Sequence, residues 1–373
     1  PHLQLRAAAI LTLKTTTPNL PNALAAEYRT IADKEIARLI SSNNYLELMM
    51  GIQLLGEEKS IQHFQLLLPF LASPSLEITR HAMQALAKVT TPNCRKYAKT
   101  LLAHLRASND IFFRKACLTA IGKLEDATLI HDIIAASLHF RQSERRLIEA
   151  MIRKIGLNAV PMLLATTRDH HMPDRCRALS GRILGHLALP HLHSSLHDIV
   201  QVEANRAYFY FSHYHSIQSK YPDKDLTLLV EALLTGYHSV MDFIIQLLCS
   251  AGEVEDADLL LRLYRNPDIR IRSQVVETLE KTCDRKIFLI LRQLIEDVPP
   301  EEMLRTYYSR QADLMPLSEL LEKMSLSASP VDQIAAVATM YQLKLPELEN
   351  ALKRQVHSHE EIFQHFAQEL LAQ

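Results

Sequence analysis

Residues 97–122, YAKTLLAHLRASNDIFFRKACLTAIG, hold two short apolar patterns joined by a polar turn. Tyr97, Leu101, Leu102 and Leu105 recur at three- and four-residue spacing in the first. Phe113, Cys117, Leu118, Ala120 and Ile121 do the same in the second. That spacing gathers each set on one face of a helix. Between them Ala107-Ser108-Asn109-Asp110 makes the turn, with Asn109 or Asp110 placed to cap the second helix. The unit closes on an aliphatic residue and a glycine, Ile121-Gly122. A hairpin this small cannot cover its own apolar faces, so neighbouring segments must.

Those neighbours repeat the phrase. Similar helices close at Leu55-Gly56, Ile155-Gly156 and Leu184-Gly185, and Leu86-Ala87 substitutes alanine for glycine. The steps between closing aliphatics are 31, 35, 34 and 29 residues. A period of that length marks stacked helical pairs. The unit before residue 97 shows it again: Leu66 to Leu71, a turn at Ser73-Pro74-Ser75, then Ile78, Ala82, Met83, Ala85 and Leu86 on one face. Small residues at the closing turn allow tight approach, and glycine there can take the left-handed cap geometry.

The pattern loosens after residue 200. Glu203 to Lys220 and Asp225 to Ser250 read as two longer helices separated by Tyr221-Pro222. The repeat resumes from Ala257 to Leu279 around a turn at Asn266-Pro267-Asp268. Val298-Pro299-Pro300 reads as a linker, followed by helices at 317–324 and 331–343 and a polar helix toward Gln373. No segment alternates as a strand would. The expected fold is all-α: an α-solenoid of eight or nine antiparallel helix pairs stacked into a curved superhelix. Its parts are repeats over 1–200, an irregular long-helix pair at 201–251, a repeat at 252–298 and C-terminal helical repeats with a cap at 301–373.

Composition narrows function by exclusion. Eight glycines and no tryptophan in 373 residues argue against barrels, sandwiches and glycine-rich phosphate loops. A formal charge of −1 offers no global attraction to nucleic acid or anionic lipid, so no nucleic-acid partner is expected. The five cysteines are scattered without a CxxC pair and read as reduced thiols, which favours a cytoplasmic setting. The richest apolar stretch, Leu226 to Cys249, is interrupted by Glu231, His238 and Asp242, so no membrane span is expected here. The opening Leu5-Arg-Ala-Ala-Ala-Ile-Leu-Thr-Leu13 reads as the second helix of a repeat, the mark of a piece of a longer protein.

The spacing, the turn residues, and phrases such as Leu5-Arg-Ala-Ala-Ala-Ile-Leu11 and Asn266-Pro-Asp-Ile-Arg270 resemble HEAT repeats of the short, bacterial type. More narrowly, three features are similar to the soluble HEAT region of bacterial membrane proteins with a major-facilitator or nucleotide-translocase-like domain. They are the opening phrase, the two-long-helix interruption, and the run from Arg272 to Arg292 ending in Leu294-Ile295-Glu296-Asp297. The resemblance implies a scaffold on the cytosolic side of a membrane, tethered through spans outside this sequence. It carries over no site residue and no cofactor.

Several constellations have the residue types of a site. His193 and His197 lie one helical turn apart beside Asp198 and are candidate metal ligands, but no HExxH glutamate separates them, and a solvated histidine-rich face is the plainer reading. Asp169-His170-His171 spells a phosphoesterase triplet yet falls in a turn between helices. A HEAT-built di-iron hydroxylase would need recurring His-Glu dipeptides, and only His359-Glu360 is present. The basic stretch 141–182 includes Arg145, Arg146, Arg153 and Arg175, which could line a groove for an acidic partner or could pair with neighbouring turns. Tyr208-Phe209-Tyr210-Phe211 with Tyr214 is the densest aromatic patch, either core of the long helical pair or a docking surface.

The sequence therefore predicts a non-catalytic interaction scaffold that binds another protein or a neighbouring domain of its own polypeptide. The competing expectation is a HEAT-type enzyme such as a lyase. That reading requires a deep polar cleft with perturbed titratable groups.

Overall fold

The computed structural model describes residues 3–16, 22–57, 60–222, 225–266, 268–296, 298–299, 301–303, 305–306, 314–327, 329–356, 365–366 and 368–370. Among them every regular element is helical and no strand occurs. Pro267, Pro300, the dipeptide His359-Glu360 and most of the expected last helix lie outside the described residues. The chain forms two compact units, Pro1–Ala159 and Val160–Gln373.

The first unit contains α1 (Leu3–Thr16), α2 (Asn22–Ile40), α3 (Tyr45–Glu57), α4 (Ile61–Leu67), α5 (Leu76–Val89), α6 (Ala98–Ala107), α7 (Ile111–Gly122), α8 (Ile130–Ala136) and α9 (Gln142–Ile155). The longer helices pack in series, α3 on α5, α5 on α7 and α7 on α9. Short α4, α6 and α8 each pack on the longer helix that follows. Their starts are set by polar side chains. Ser60 Oγ accepts from the backbone N–H of Gln62 at 3.2 Å, and Asp110 Oδ1 from that of Phe113 at 2.7 Å. These bonds satisfy donors that the first turn of a helix leaves open.

Arginines near the start of the longer helices tie the series together. Arg80 on α5 donates to the Asp110 carboxylate at the head of α7, at 2.9 Å through Nε. Thirty-four residues further on, Arg114 on α7 donates to Glu144 on α9 at 2.6 Å. Arg114 also reaches back to the carbonyl of Ser108 at 3.2 Å, Arg145 to that of Leu138 at 3.1 Å, and Arg272 in the second unit to that of Asn266 at 3.0 Å. Arg114, Arg145 and Arg272 are each the fourth residue of their helix and bond a carbonyl of the preceding turn. The long side chain thus closes the hairpin and, where a carboxylate follows, the step to the next one.

The closing glycines divide between the two expected purposes. Of Gly56, Gly122, Gly156 and Gly185, only Gly156 has a left-handed backbone, at φ 73°. The others are sites of close approach. A Cβ on Gly56 would lie 3.0 Å from the Ala85 Cα, and one on Gly185 only 2.1 Å from the Ser250 carbonyl oxygen. Helix-to-helix distance, more than backbone freedom, selects glycine at these points.

The second unit contains α10 (Val160–Arg168), α11 (Asp174–Lys220), α12 (Thr227–Ser250), α13 (Ala257–Tyr264), α14 (Ile269–Thr282), α15 (Arg285–Ile295), α16 (Leu317–Ser325), α17 (Pro330–Gln342) and α18 (Leu348–Val356). Within α11, Ala188 departs from helical geometry at φ −152°, ψ 62°, with Pro190 just beyond. The departure is a reversal. Arg177 bonds Glu203, 26 residues away, whereas a straight helix would hold them about 39 Å apart. The expected helix end after Leu184-Gly185 therefore corresponds to a fold-back at Ala188, and the long helix that was expected to begin at Glu203 starts soon after it. Tyr221-Pro222 separates α11 from α12, as the proline rule anticipates.

The 24-residue α12 is long and apolar enough to cross a membrane by length and composition. Half of that apolar window is buried within the protein, where α12 packs against α11, α13 and α17. Its hydrophobicity is that of a helix contacted on several sides. Cys94, Cys117 and Cys176 are buried, Cys249 and Cys283 half-buried, and none of the five is in a disulfide.

The Arg114–Glu144 pair is the most enclosed link in the first unit, with Arg114 8% and Glu144 0% exposed. Glu144 also accepts from the backbone N–H of Arg141 at 2.9 Å, capping its own helix. Glu144→Ala is expected to cost about 3–5 kcal/mol in urea denaturation, because it strands a buried guanidinium. The double variant Arg114→Met/Glu144→Leu should recover most of that loss, and a double variant no more stable than the single would contradict the assignment.

Candidate binding cleft

The second unit encloses a cleft of about 530 Å³ between the Asp169–His171 turn, the second limb of α11 and the α16–α17 hairpin. The turn contributes His170 and His171. From α11 come Val202, Arg206, Phe209 and Tyr210, and from α16 and the turn after it Lys323, Met324, Leu326 and Ser327. Asp332, in the first turn of α17, completes it.

Its floor is a buried set of charges. Arg177, fully buried, donates from Nη1 to Asp174 at 2.8 Å, from Nε to the Thr167 carbonyl at 3.0 Å, and from Nη2 to Glu203. Its guanidinium stacks 4.2 Å above the Phe243 ring. Arg206 donates to both Asp174 and Glu203, and Ser239 on α12 donates to Asp174 at 2.9 Å. Burial alone would push the Asp174 carboxyl up, but Arg206, Arg177 and Ser239 together hold it below the ordinary range. Two arginines therefore face two carboxylates, and this part of the floor is balanced.

Asp332 is not balanced in the same way. It is 1% exposed, and its Oδ2 accepts from Tyr210 Oη at 2.7 Å and Ser327 Oγ at 2.8 Å. Its Oδ1 is buried without a hydrogen-bond partner. Among the described residues no basic side chain lies within ion-pair distance of it. Burial raises the Asp332 carboxyl above its ordinary value of 3.8, with Tyr210, Ser327 and Arg206 opposing only in part. Burial, with the Asp332 charge, likewise raises the Tyr210 hydroxyl. Gly236 on α12 makes room for this tyrosine, since a Cβ there would come within 2.5 Å of its ring.

The rim carries other shifted groups. His170 Nδ1 lies 3.4 Å from Glu203, yet burial keeps its imidazole below the usual value. Lys323 is lowered by partial burial and sits 4.3 Å over the Phe209 ring. No carboxylate lies within ion-pair distance of Lys323 among the described residues.

The residues singled out from sequence fall in several places. Tyr210 lines the cleft, but Tyr208 is 1% exposed and donates to Gln293 on α15, so it is core and not a docking surface. Tyr214 is half-buried beside His215. The second limb of α11 contacts α12 through Phe211 and Tyr237, α15 through Tyr208, and α17 through Tyr210. An outward-facing pair of these aromatics would require a helix covered on fewer sides. Arg145 closes its own hairpin as described, and Arg153 pairs with Glu149 at 3.4 Å. Arg146 and Arg175 are exposed.

His193 and His197 line a smaller hollow of about 330 Å³ with Glu253, Asp284 and Lys286. Glu253 approaches His193 at 3.6 Å and accepts the Asp284 backbone N–H at 2.8 Å. No cluster of three or more metal-donor side chains occurs among the described residues. The Asp169-His170-His171 triplet is in a turn, with Asp169 accepting the His171 backbone N–H at 2.9 Å. Asp332, Lys323 and Arg206 were not singled out from sequence, where they carry no motif.

No protein-family model matches the chain, and no curated protein matches it.

The raised carboxyl makes a signed prediction. The folded state holds the Asp332 proton more tightly than the unfolded chain does. Stability is therefore lost as pH rises from 3.8 through the folded value, and the penalty is complete above it. Asp332→Asn removes that titration. The stability of the wild type relative to this variant should fall between pH 4 and pH 7 in urea denaturation, and a difference independent of pH would refute the assignment.

Proposed function

We propose that the chain is a HEAT-type solenoid acting as a non-catalytic scaffold that binds another protein or a neighbouring domain of its own polypeptide. The carrying observation is the serial packing of α3, α5, α7 and α9, with Arg80–Asp110 and Arg114–Glu144 each linking residues 30 apart. A repeat joined by the same bond at the same offset presents side chains in regular rows. Such a surface is already ordered before a partner arrives, which limits the entropy lost on association. Of the basic residues named from sequence, Arg146 and Arg153 fit a partner surface best. They stand two turns apart on α9 and both are exposed. The link to a membrane-tethered, cytosolic setting rests on the resemblance alone and is tested by reading the full gene upstream of Pro1.

A second reading, a lyase-like enzyme, is favoured by one observation. The cleft of the second unit gathers several groups displaced from their ordinary titration, among them Asp332, Tyr210, His170 and Lys323. Such gatherings are enriched at active sites, and buried structural networks produce them too.

Affinity capture with the purified chain, wild type beside Arg146→Glu/Arg153→Glu, separates the versions of the scaffold reading. Acidic partners should be recovered by the wild type and lost at raised salt. Their recovery by the variant should fall about tenfold. Equal recovery by a variant of unchanged helicity would remove the basic face from the proposal.

A further inference from the structure

We infer that the cleft between α11 and the α16–α17 hairpin is a binding site for a small zwitterion with an apolar body, of the class of a hydrophobic amino acid or dipeptide. Its amino group would meet Asp332 and its carboxylate Lys323. The inference is independent of the scaffold reading, which rests on the first unit.

Three features carry it. The first is Asp332, a residue of the cleft lining whose buried Oδ1 has no hydrogen-bond partner. Both known donors to this carboxylate, Tyr210 and Ser327, go to Oδ2 and bring no charge. An ammonium would supply the missing hydrogen bond and the missing positive charge together, and a charge-assisted bond of that kind is about twice as strong as a neutral one. Arg206 is nearby but is engaged by Asp174 and Glu203.

The second feature is the opposite pole. Lys323 lines the same cleft, its ammonium held over the Phe209 ring with no carboxylate within ion-pair distance among the described residues. A ligand carboxylate would complete it. The third is the wall that these two groups share, made apolar by Phe209, Met324 and Leu326. At about 530 Å³ the space falls within the roughly 300–1,000 Å³ of small-ligand pockets. One cleft therefore offers an anion lacking a cation, a cation lacking an anion, and apolar surface to hold a ligand body.

Isothermal titration calorimetry on the full chain tests this with leucyl-phenylalanine as the probe. Phenethylamine and 3-phenylpropionate serve as its two half-ligands. The dipeptide should bind, and each half-ligand should bind about tenfold more weakly. Lys323→Gln should weaken the dipeptide and 3-phenylpropionate by about the same factor and leave phenethylamine unchanged. Asp332→Asn should weaken the dipeptide and phenethylamine and spare 3-phenylpropionate. Lys323 is exposed, so its substitution tests the site even if the Asp332 variant fails to fold. No heat from the dipeptide at concentrations on the order of 10 mM overturns the proposal. So does phenethylamine binding as tightly as the dipeptide, or dipeptide affinity unaltered by Lys323→Gln. None of these failures touches the acidic-partner capture expected of α9.

Discussion

A guanidinium taken out of water must find a carboxylate or enough carbonyl oxygens to replace its hydration, and the helix packing of this protein is arranged around that demand. Arg114 is nearly sealed and meets a fully buried Glu144 on the next long helix. Arg177 is sealed completely and is met by Asp174, Glu203 and the Thr167 carbonyl. In each case the helix carrying the arginine is tied to a second segment, because at least one compensating carboxylate comes from beyond its own limb. Apolar burial supplies most of the cohesion. The ion pairs fix which helix lies against which, since a slip would leave a charge buried alone at a cost of several kcal/mol.

Much of the helical content was legible because it depends on local rules. The turn at residues 107–110 needed only three- and four-residue apolar spacing and a capping side chain, and Asp110 caps α7 as its position allows. The break at Tyr221-Pro222 followed from the missing proline N–H. The glycines were harder, because sequence does not say whether a glycine is chosen for its backbone or for its absent side chain. Gly156 is the first kind and Gly56 and Gly185 are the second, and only the approach of Ala85 and Ser250 distinguishes them. The reversal at Ala188 lacks a turn signature beyond Pro190, since helical periodicity resumes almost at once on either side of it. The all-α class was thus readable from spacing, whereas the packing partners were set by contacts the spacing does not encode.

The cleft was legible hardly at all. Its parts come from a turn near residue 170, a helix near 206 and a hairpin near 327, and no fixed spacing connects them. Tyr210 drew notice as an aromatic, but its importance lies in the hydroxyl bonded to Asp332, 122 residues away. Asp332 reads in sequence as an ordinary acidic residue in the first turn of a helix. What distinguishes it is desolvation, which belongs to the assembled core and not to the residues beside it. The histidine-rich stretch shows the reverse. It is conspicuous in sequence, yet His193 and His197 stand about half exposed, each with one carboxylate near it, Glu253 and Asp198.

The two sides of the cleft are fastened unequally. On one side, the doubled-back α11 is riveted by Asp174, Arg177, Glu203 and Arg206 across both of its limbs, with Ser239 and Thr167 bolting it to α12 and α10. On the other, the α16–α17 hairpin and the residues leading into it meet α11 through the Tyr210 hydroxyl, Lys323 over the Phe209 ring and the Met315 N–H donated to His213, while α17 packs on α12. Widening the mouth would leave every buried arginine in place, but it would also have to part α17 from α12. The charged rivets thus lie on one side of the cleft, and the wall bearing Lys323 and Asp332 is held chiefly by apolar packing on α12.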